Sequence, residues 1–245
     1  MKLFEDKVVL ITGGGTGIGK ATASAFIAKG AKVVITGRRQ SVLEKTTHEL
    51  GELAYSIVGD ICKKEEPKRI IDEVISKYGR LDVLVNNAGM GTMGPLSETR
   101  DEDIENMYRT NVFAPLALIR EAMTHLVSSK GTVVNITSTM SHGVMPGSAA
   151  YASSKAALDH ATRLLAAELG PSNVRVNAIA PGFTMTDISA GVQSDEQMLG
   201  MIVAQTPLGR PGEPEDIANA VLLLADSRAG WITGQIVQAG GGLML

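Results

Sequence analysis

Apolar and polar positions along the 245-residue chain alternate between two rhythms. Short, mostly apolar runs rich in β-branched residues stand at Val8–Thr12, Lys32–Thr36, Ala54–Val58, Leu81–Asn86, Thr132–Thr137 and Arg175–Ala180. Runs of that length and texture predict strands buried on both faces. Between them lie segments of ten or more residues with helical spacing, and a seventh strand is expected near Gln235–Gln238. Strand and helix in strict alternation imply a parallel sheet with helices on both sides. Right-handed crossovers make such a sheet doubly wound, with the ligand crevice at the carboxyl ends of the strands. The expected fold is therefore α/β: a single Rossmann-like doubly wound domain over 1–245, with a seven-stranded, mainly parallel sheet flanked by helices. No repeat, low-complexity segment or linker divides it, and 44% apolar with 20% charged residues is an ordinary globular balance.

The first strand runs into Thr12-Gly13-Gly14-Gly15-Thr16-Gly17-Ile18-Gly19, and a helix is expected from Lys20 to Lys29. Strand, glycine turn and helix is the context in which glycines let a backbone approach a phosphate at a helix start. A plain loop is the simplest reading. A nucleotide-triphosphate loop, G-x-x-x-x-G-K-[ST], fits Gly14 to Lys20, but Ala21 stands where a hydroxyl would hold the metal. A dinucleotide site with glycines at 13, 17 and 19 fits best, although T-G-x-x-x-G-x-G is not the usual G-x-G-x-x-G.

Charge and targeting signals narrow the partners. A net charge of -3 and a pI near 5.8 argue against nucleic acid while leaving room for a local basic pocket. Cys62 is the single cysteine, so no internal disulfide forms, and a reduced compartment is implied. Met1 to Lys7 has no apolar signal-peptide core, and no run approaches the ~18 residues of a membrane span. A cytoplasmic location is expected, with no membrane partner and no metal site.

The second strand ends Thr36-Gly37-Arg38-Arg39. An acid at this place holds the ribose 2′-hydroxyl of NAD, whereas arginine suits a 2′-phosphate. Gly37 takes the acid's place, and the Arg38 guanidinium can stack on adenine and fork onto phosphate. NADP(H) is therefore favoured, with NAD(H) as the alternative.

Thirteen residues after Ser138, which follows the fifth strand, comes Tyr151-Ala152-Ser153-Ser154-Lys155. Tyr and Lys at i and i+4 share a helix face. A free phenol with a pKa of ~10 is a poor base at neutral pH, and a nearby ammonium lowers it. Tyr151 is thus expected as the acid/base and Lys155 as the group that tunes it. Serine, Tyr-x-x-x-Lys and the T-G-x-x-x-G-x-G loop together resemble the short-chain dehydrogenase/reductase family over nearly the whole chain.

The resemblance implies reversible alcohol/carbonyl hydride transfer. Ser138 would orient the substrate carbonyl, and Asn111 would bend the long helix expected over Asp101–Val127 and complete a proton relay. Cofactor contacts are implied at Gly13, Thr16, Gly17, Ile18, Gly19, Arg38, Asp60, Ile61, Asn87, Ala88 and Gly89. They continue at Tyr151, Lys155, Pro181, Gly182, Thr184 and Thr186. Thr16 is a departure, because NADP-preferring relatives often carry a basic residue in this loop. Asp60 would take the adenine amino group, although a turn-forming Asp is the plainer reading.

Ser138, Met140, Met145, Tyr151 and Met185 are expected to line the substrate pocket, with Met198 and Met201 on a short helix of the closing segment, about 183–207. Methionine makes an adaptable apolar lining, and His142 could add a polar contact. A hydrophobic ketone or secondary alcohol, steroid-like or cyclic, is the expected substrate. The rival is a 3-oxoacyl-[acyl-carrier-protein] reductase, whose usual arginines are replaced here by Lys130 alone. From another class, a non-catalytic dinucleotide sensor would not need Ser138, Tyr151 and Lys155 together. The family implies a homotetramer, or a dimer, built on the long helix and the one that follows Tyr151. The apolar end after Gly240-Gly241-Gly242 is expected at a subunit interface.

Overall fold

The computed structural model describes Lys2–Met244, apart from the side chain of Ile188. Seven strands form one sheet: β1 Val8–Thr12, β2 Lys32–Gly37, β3 Ala54–Val58, β4 Val83–Asn86, β5 Thr132–Ile136, β6 Arg175–Pro181 and β7 Ile236–Ala239. Every neighbouring pair is parallel, in the order β3-β2-β1-β4-β5-β6-β7. The winding direction reverses between β1 and β4, which opens a crevice at their carboxyl ends. The helices are α1 Gly17–Ala28, α2 Gln40–Leu50, α3 Glu66–Tyr78, α4 Asp101–Tyr108, α5 Ala114–Ser129, α6 Ala149–Leu169, α7 Ala190–Gln193, α8 Glu196–Ala204 and α9 Pro214–Ala225.

Successive strand residues divide between two cores. Val9, Ile11, Val33, Ile35, Val83 and Val85 pack with Phe26 of α1, Leu43 of α2 and Ile217 and Val221 of α9. Val8, Leu10, Val34, Leu84 and Val133 pack on the other face with Ile70 and Val74 of α3, Leu118 and Ala122 of α5 and Ala166 of α6. Each such side chain contributes about 1.5–3 kcal/mol on burial. Because both faces are covered, the strands read as unbroken apolar runs rather than alternating ones.

Two expected boundaries move for visible reasons. β4 starts at Val83, not Leu81, because Asp82 is an anchor. Its buried carboxylate accepts the Val8 N–H at 3.0 Å and bonds from Lys7 and Arg80. Burial opposes its ionisation, but those donors outweigh it and hold the carboxyl below its usual pKa. The long helix expected over Asp101–Val127 is α4 and α5 joined by a π-helical turn at Arg109–Phe113. That wider turn carries Asn111, which is buried. No helix among the described residues is long and apolar enough to cross a membrane.

Candidate active site

The glycine turn is fastened to its neighbour strand. Thr12 Oγ1 accepts the N–H groups of Asn87 and Ala88, each at 3.0 Å. Asn87 Nδ2 donates to the carbonyls of Thr12 at 2.8 Å and Gly13 at 3.2 Å. Gly13 and Gly17 hold φ of +64° and +50°, a region L side chains rarely adopt. A methyl group on Gly19 would fall 2.6 Å from Asn87 Nδ2 and closer still to the Gly13 carbonyl oxygen. Thr16 caps α1 only through its backbone, and no acid sits in the first turn. The leading N–H groups of a helix lack partners within it, so this end offers partial positive charge over a glycine floor. The cradle fits a diphosphate.

At the end of β2, Arg38 and Arg39 are exposed and form no ion pair among the described residues. In the turn after β3 burial pushes the Cys62 thiol pKa up, and the Arg38 charge partly offsets it. In that turn Asp60 Oδ1 accepts the Cys62 N–H at 3.1 Å, the plainer role that the sequence also allowed. Ile61 is buried next to it.

The reactive groups meet where β4, β5 and α6 converge. Tyr151 and Lys155 lie one turn apart on α6, with Lys155 Nζ 5.9 Å from the centre of the phenol ring. Lys155 is buried, and its ammonium donates to the Ile136 carbonyl at the end of β5 at 2.9 Å. Gly89 and Gly91 make the fit tolerable: methyl groups there would fall 3.2 Å from Lys155 Nζ and 2.8 Å from the Tyr151 ring. Ser138, just past β5, accepts the Met140 N–H at 3.2 Å and faces the phenol. Burial raises the Tyr151 pKa, and Ser138 only partly offsets this. Burial lowers Lys155 to about 8, while the Asp159 charge works the other way. The phenol's net direction is upward, because its desolvation dominates and the ammonium is directed at a strand carbonyl.

Asn111 serves a clamp that its sequence position did not disclose. Its Oδ1 accepts the Met90 N–H at 3.0 Å, and its Nδ2 donates to the Met90 carbonyl and to Ser154 Oγ, both at 2.9 Å. The segment after β4 is thereby tied to α6. A second buried relay, Asn86 to Asn135 to Thr162, joins β4, β5 and α6 at 2.9 Å per link.

The segment after β6 closes the other side. Pro181 ends the strand, and a methyl on Gly182 would fall 2.6 Å from the Gly240 Cα. Thr184 is buried, and the Thr186 methyl group reaches the glycine turn, 3.2 Å from where a Cβ on Gly17 would stand. Ser189 and Gln193, neither of which any motif singled out, hold this corner. Ser189 Oγ donates to the Thr184 carbonyl at 2.7 Å, and Gln193 Nε2 to the Thr186 carbonyl at 2.7 Å. Met140 and Met185 are half-buried, whereas Met145, Met198 and Met201 are exposed. The chain end packs against its own fold. Leu243 is buried within its own subunit, the Leu208 N–H bonds the Gly241 carbonyl at 3.0 Å, and Met244 packs against Gly143. Leu245 lies outside the described residues.

The family model described as enoyl-(acyl carrier protein) reductase matches residues 13–244. The chain belongs to the short-chain dehydrogenase/reductase family and is an oxidoreductase. It is 37% identical over 243 residues to the 7alpha-hydroxysteroid dehydrogenase of Escherichia coli (strain K12), covering 98% of this chain and 94% of that one. Among solved structures it is similar to a Pseudomonas aeruginosa RhlG/NADP active-site complex, at 30% identity, TM-score 0.94 and full coverage of both chains, 100% each. It is also similar to the 3-ketoacyl-(acyl-carrier-protein) reductase from Brucella melitensis complexed with NADH. There the identity is 30% and the TM-score 0.92, covering 99% of this chain and 100% of that one.

Proposed function

We propose that the chain, working as one unit over 1–245, interconverts a secondary alcohol and a ketone with NADP(H) on an apolar, steroid-like or cyclic substrate. The observation that carries this reading is the convergence of Ser138, Tyr151 and Lys155 beside Gly89 and Gly91, at the same strand ends as the glycine turn. A nicotinamide cofactor held there would supply the hydride for carbonyl reduction or accept it in alcohol oxidation. Ser138 holds the substrate oxygen, and the Tyr151 O–H gives that oxygen its proton as the carbonyl π pair becomes a lone pair. In the oxidative direction the Tyr151 phenolate takes the hydroxyl proton. Lys155 supports the phenolate, and Asn111 steadies the walls through which the proton leaves. The turn at Gly13–Gly19 takes the diphosphate, Arg38 the 2′-phosphate, the stretches Asp60–Ile61 and Asn87–Gly89 the adenosine end, and Pro181–Gly182, Thr184 and Thr186 the nicotinamide end. Support for NADP(H) over NAD(H) is Arg38 at the tip of β2, free of ion pairs among the described residues, since the solved relatives include complexes with either cofactor.

Met140, Met145 and Met185 supply the apolar lining, and likeness to a hydroxysteroid dehydrogenase favours the same class. Acyl-carrier-protein substrates remain the rival through the Brucella melitensis relative. The exposed Phe113 and Leu164, on the π turn and α6, support a homotetramer or dimer assembled there, in the cytoplasm. The test is a panel of cyclic ketones, steroids and 3-oxoacyl thioesters, followed by loss of reduced-nicotinamide absorbance with NADPH and NADH in parallel. Tyr151→Phe should lower turnover by about 10²–10⁴-fold while cofactor affinity holds. Turnover surviving that change would sink the enzymatic assignment of Tyr151.

A further inference from the structure

We propose that Asp159 is a positioning residue: anchored by Ser141, its buried carboxylate is the counter-charge that keeps Lys155 an ammonium beneath Tyr151. The inference rests on the roles given above to Lys155 and Tyr151. Residues 151, 155 and 159 are spaced by four, so the phenol, the amine and the carboxylate stack along one face of α6.

The carboxylate is held in place. Asp159 is 3% exposed, and its Oδ2 accepts a short hydrogen bond from Ser141 Oγ, in the turn after Ser138. His142 completes the group, with Nδ1 2.9 Å from Ser141 Oγ and Nε2 3.7 Å from the same carboxylate oxygen. Asp159 Oδ1 is buried without a hydrogen-bond partner among the described residues. Desolvating a carboxylate costs several kcal/mol, and its nearest buried neighbours further along α6, Leu158, Thr162 and Ala166, carry no charge. A purely structural helix would do better with an apolar residue here.

The compensating charge is one turn back. Around Lys155, β5 brings the Ile136 carbonyl, the π turn brings Asn111, and the turn after β5 brings Ser141 and His142 to Asp159. Asp159 makes no direct ion pair with Lys155, but from one turn further along α6 its charge opposes the effect of burial there. Without it the buried amine sheds its proton at lower pH. A neutral amine gives a phenolate no charge stabilisation, and Tyr151 already lies above its usual range. Alcohol oxidation, which needs the phenolate, then shifts to higher pH.

The direct measurement is an NMR titration of protein carrying ε-¹³C lysine, with the Lys155 signal assigned by its loss in Lys155→Met. In wild type the midpoint is expected near 8. Asp159→Asn should lower it by about one pH unit, Asp159→Glu should return it towards wild type, and Ser141→Ala should lower it by less. An unmoved or raised midpoint in Asp159→Asn overturns the proposal. If that variant does not fold, Ser141→Ala decides, and an unmoved midpoint there overturns it as well. The second readout is kcat/KM for cyclohexanol oxidation against pH. Its rising limb should move to higher pH in Asp159→Asn with cofactor Kd within about twofold, a selectivity that general loosening would not give. Tyr151→Phe separates the two layers. If it retains turnover the catalytic reading fails, whereas an unmoved Lys155 midpoint defeats the Asp159 inference alone.

Discussion

The glycine turn with its Asn87 brace and the segment bearing α7 and α8 face each other across one crevice, and they are built in opposite ways. In the first, short side chains and backbone groups are knitted into the sheet, and α1 buries Gly19, Thr22, Ala23 and Phe26. In the second, neither α7 nor α8 buries a residue, and Met198 and Met201 are 42% and 52% exposed. Geometry that must repeat at each turnover is placed where displacement costs several packed contacts. The α7 and α8 segment is a surface with little folding free energy at stake.

The largest expected effect comes from wedging the tight side open. Gly19→Ala must push apart the Gly13 carbonyl and Asn87 Nδ2. It should cost about 3 kcal/mol in urea unfolding, the upper end for overpacking, and weaken cofactor binding about a hundredfold; normal affinity would show that the turn is not the rigid half. Next is Lys155→Met. A buried amine brought from 10.5 to about 8 corresponds to roughly 3 kcal/mol of cost below pH 8. The unfolded chain keeps that proton up to about 10.5, so wild type gains stability as pH rises from 8, and the variant does not. Their difference in unfolding free energy should therefore move in the wild type's favour by up to roughly 3 kcal/mol over that window. A constant difference would contradict the buried-charge account.

Smaller effects probe the rims. Arg38→Ala should raise the KM for NADPH about tenfold, or ~1.4 kcal/mol, and leave NADH unchanged; equal losses with both would remove its link to the 2′-phosphate. Met201→Ala should alter stability by no more than about 0.5 kcal/mol while raising KM for bulky apolar ketones severalfold. A large fall in melting temperature would mean that α8 belongs to the rigid half after all.

Much of this division was legible in the amino-acid order. Strands buried on both faces announce themselves by texture, so β1 and β3 match their expected limits and β7 is displaced by one residue. Tyr151 and Lys155 are visible because helical spacing is local. Asp159 was passed over for a physical reason. A charge on a helix usually faces solvent, and only the approach of the Ser141 turn makes this one an interior group. The π turn at Asn111 was hidden in the same way. Its buried asparagine is held by bonds to Met90 and Ser154, 21 and 43 residues away. Ser189 and Gln193 carried no motif at all, since their partners are backbone carbonyls of a loop.

The stitching of Gly240–Met244 across Gly182, Leu208 and Gly143 has a practical corollary for handling the molecule. A purification handle, dye or surface tether joined beyond Met244 would emerge at the rim where ligands enter. Joined ahead of Lys2, near Gly30 and the Phe4–Lys29 backbone bond, it would emerge at the opposite end of the sheet and leave that entrance free.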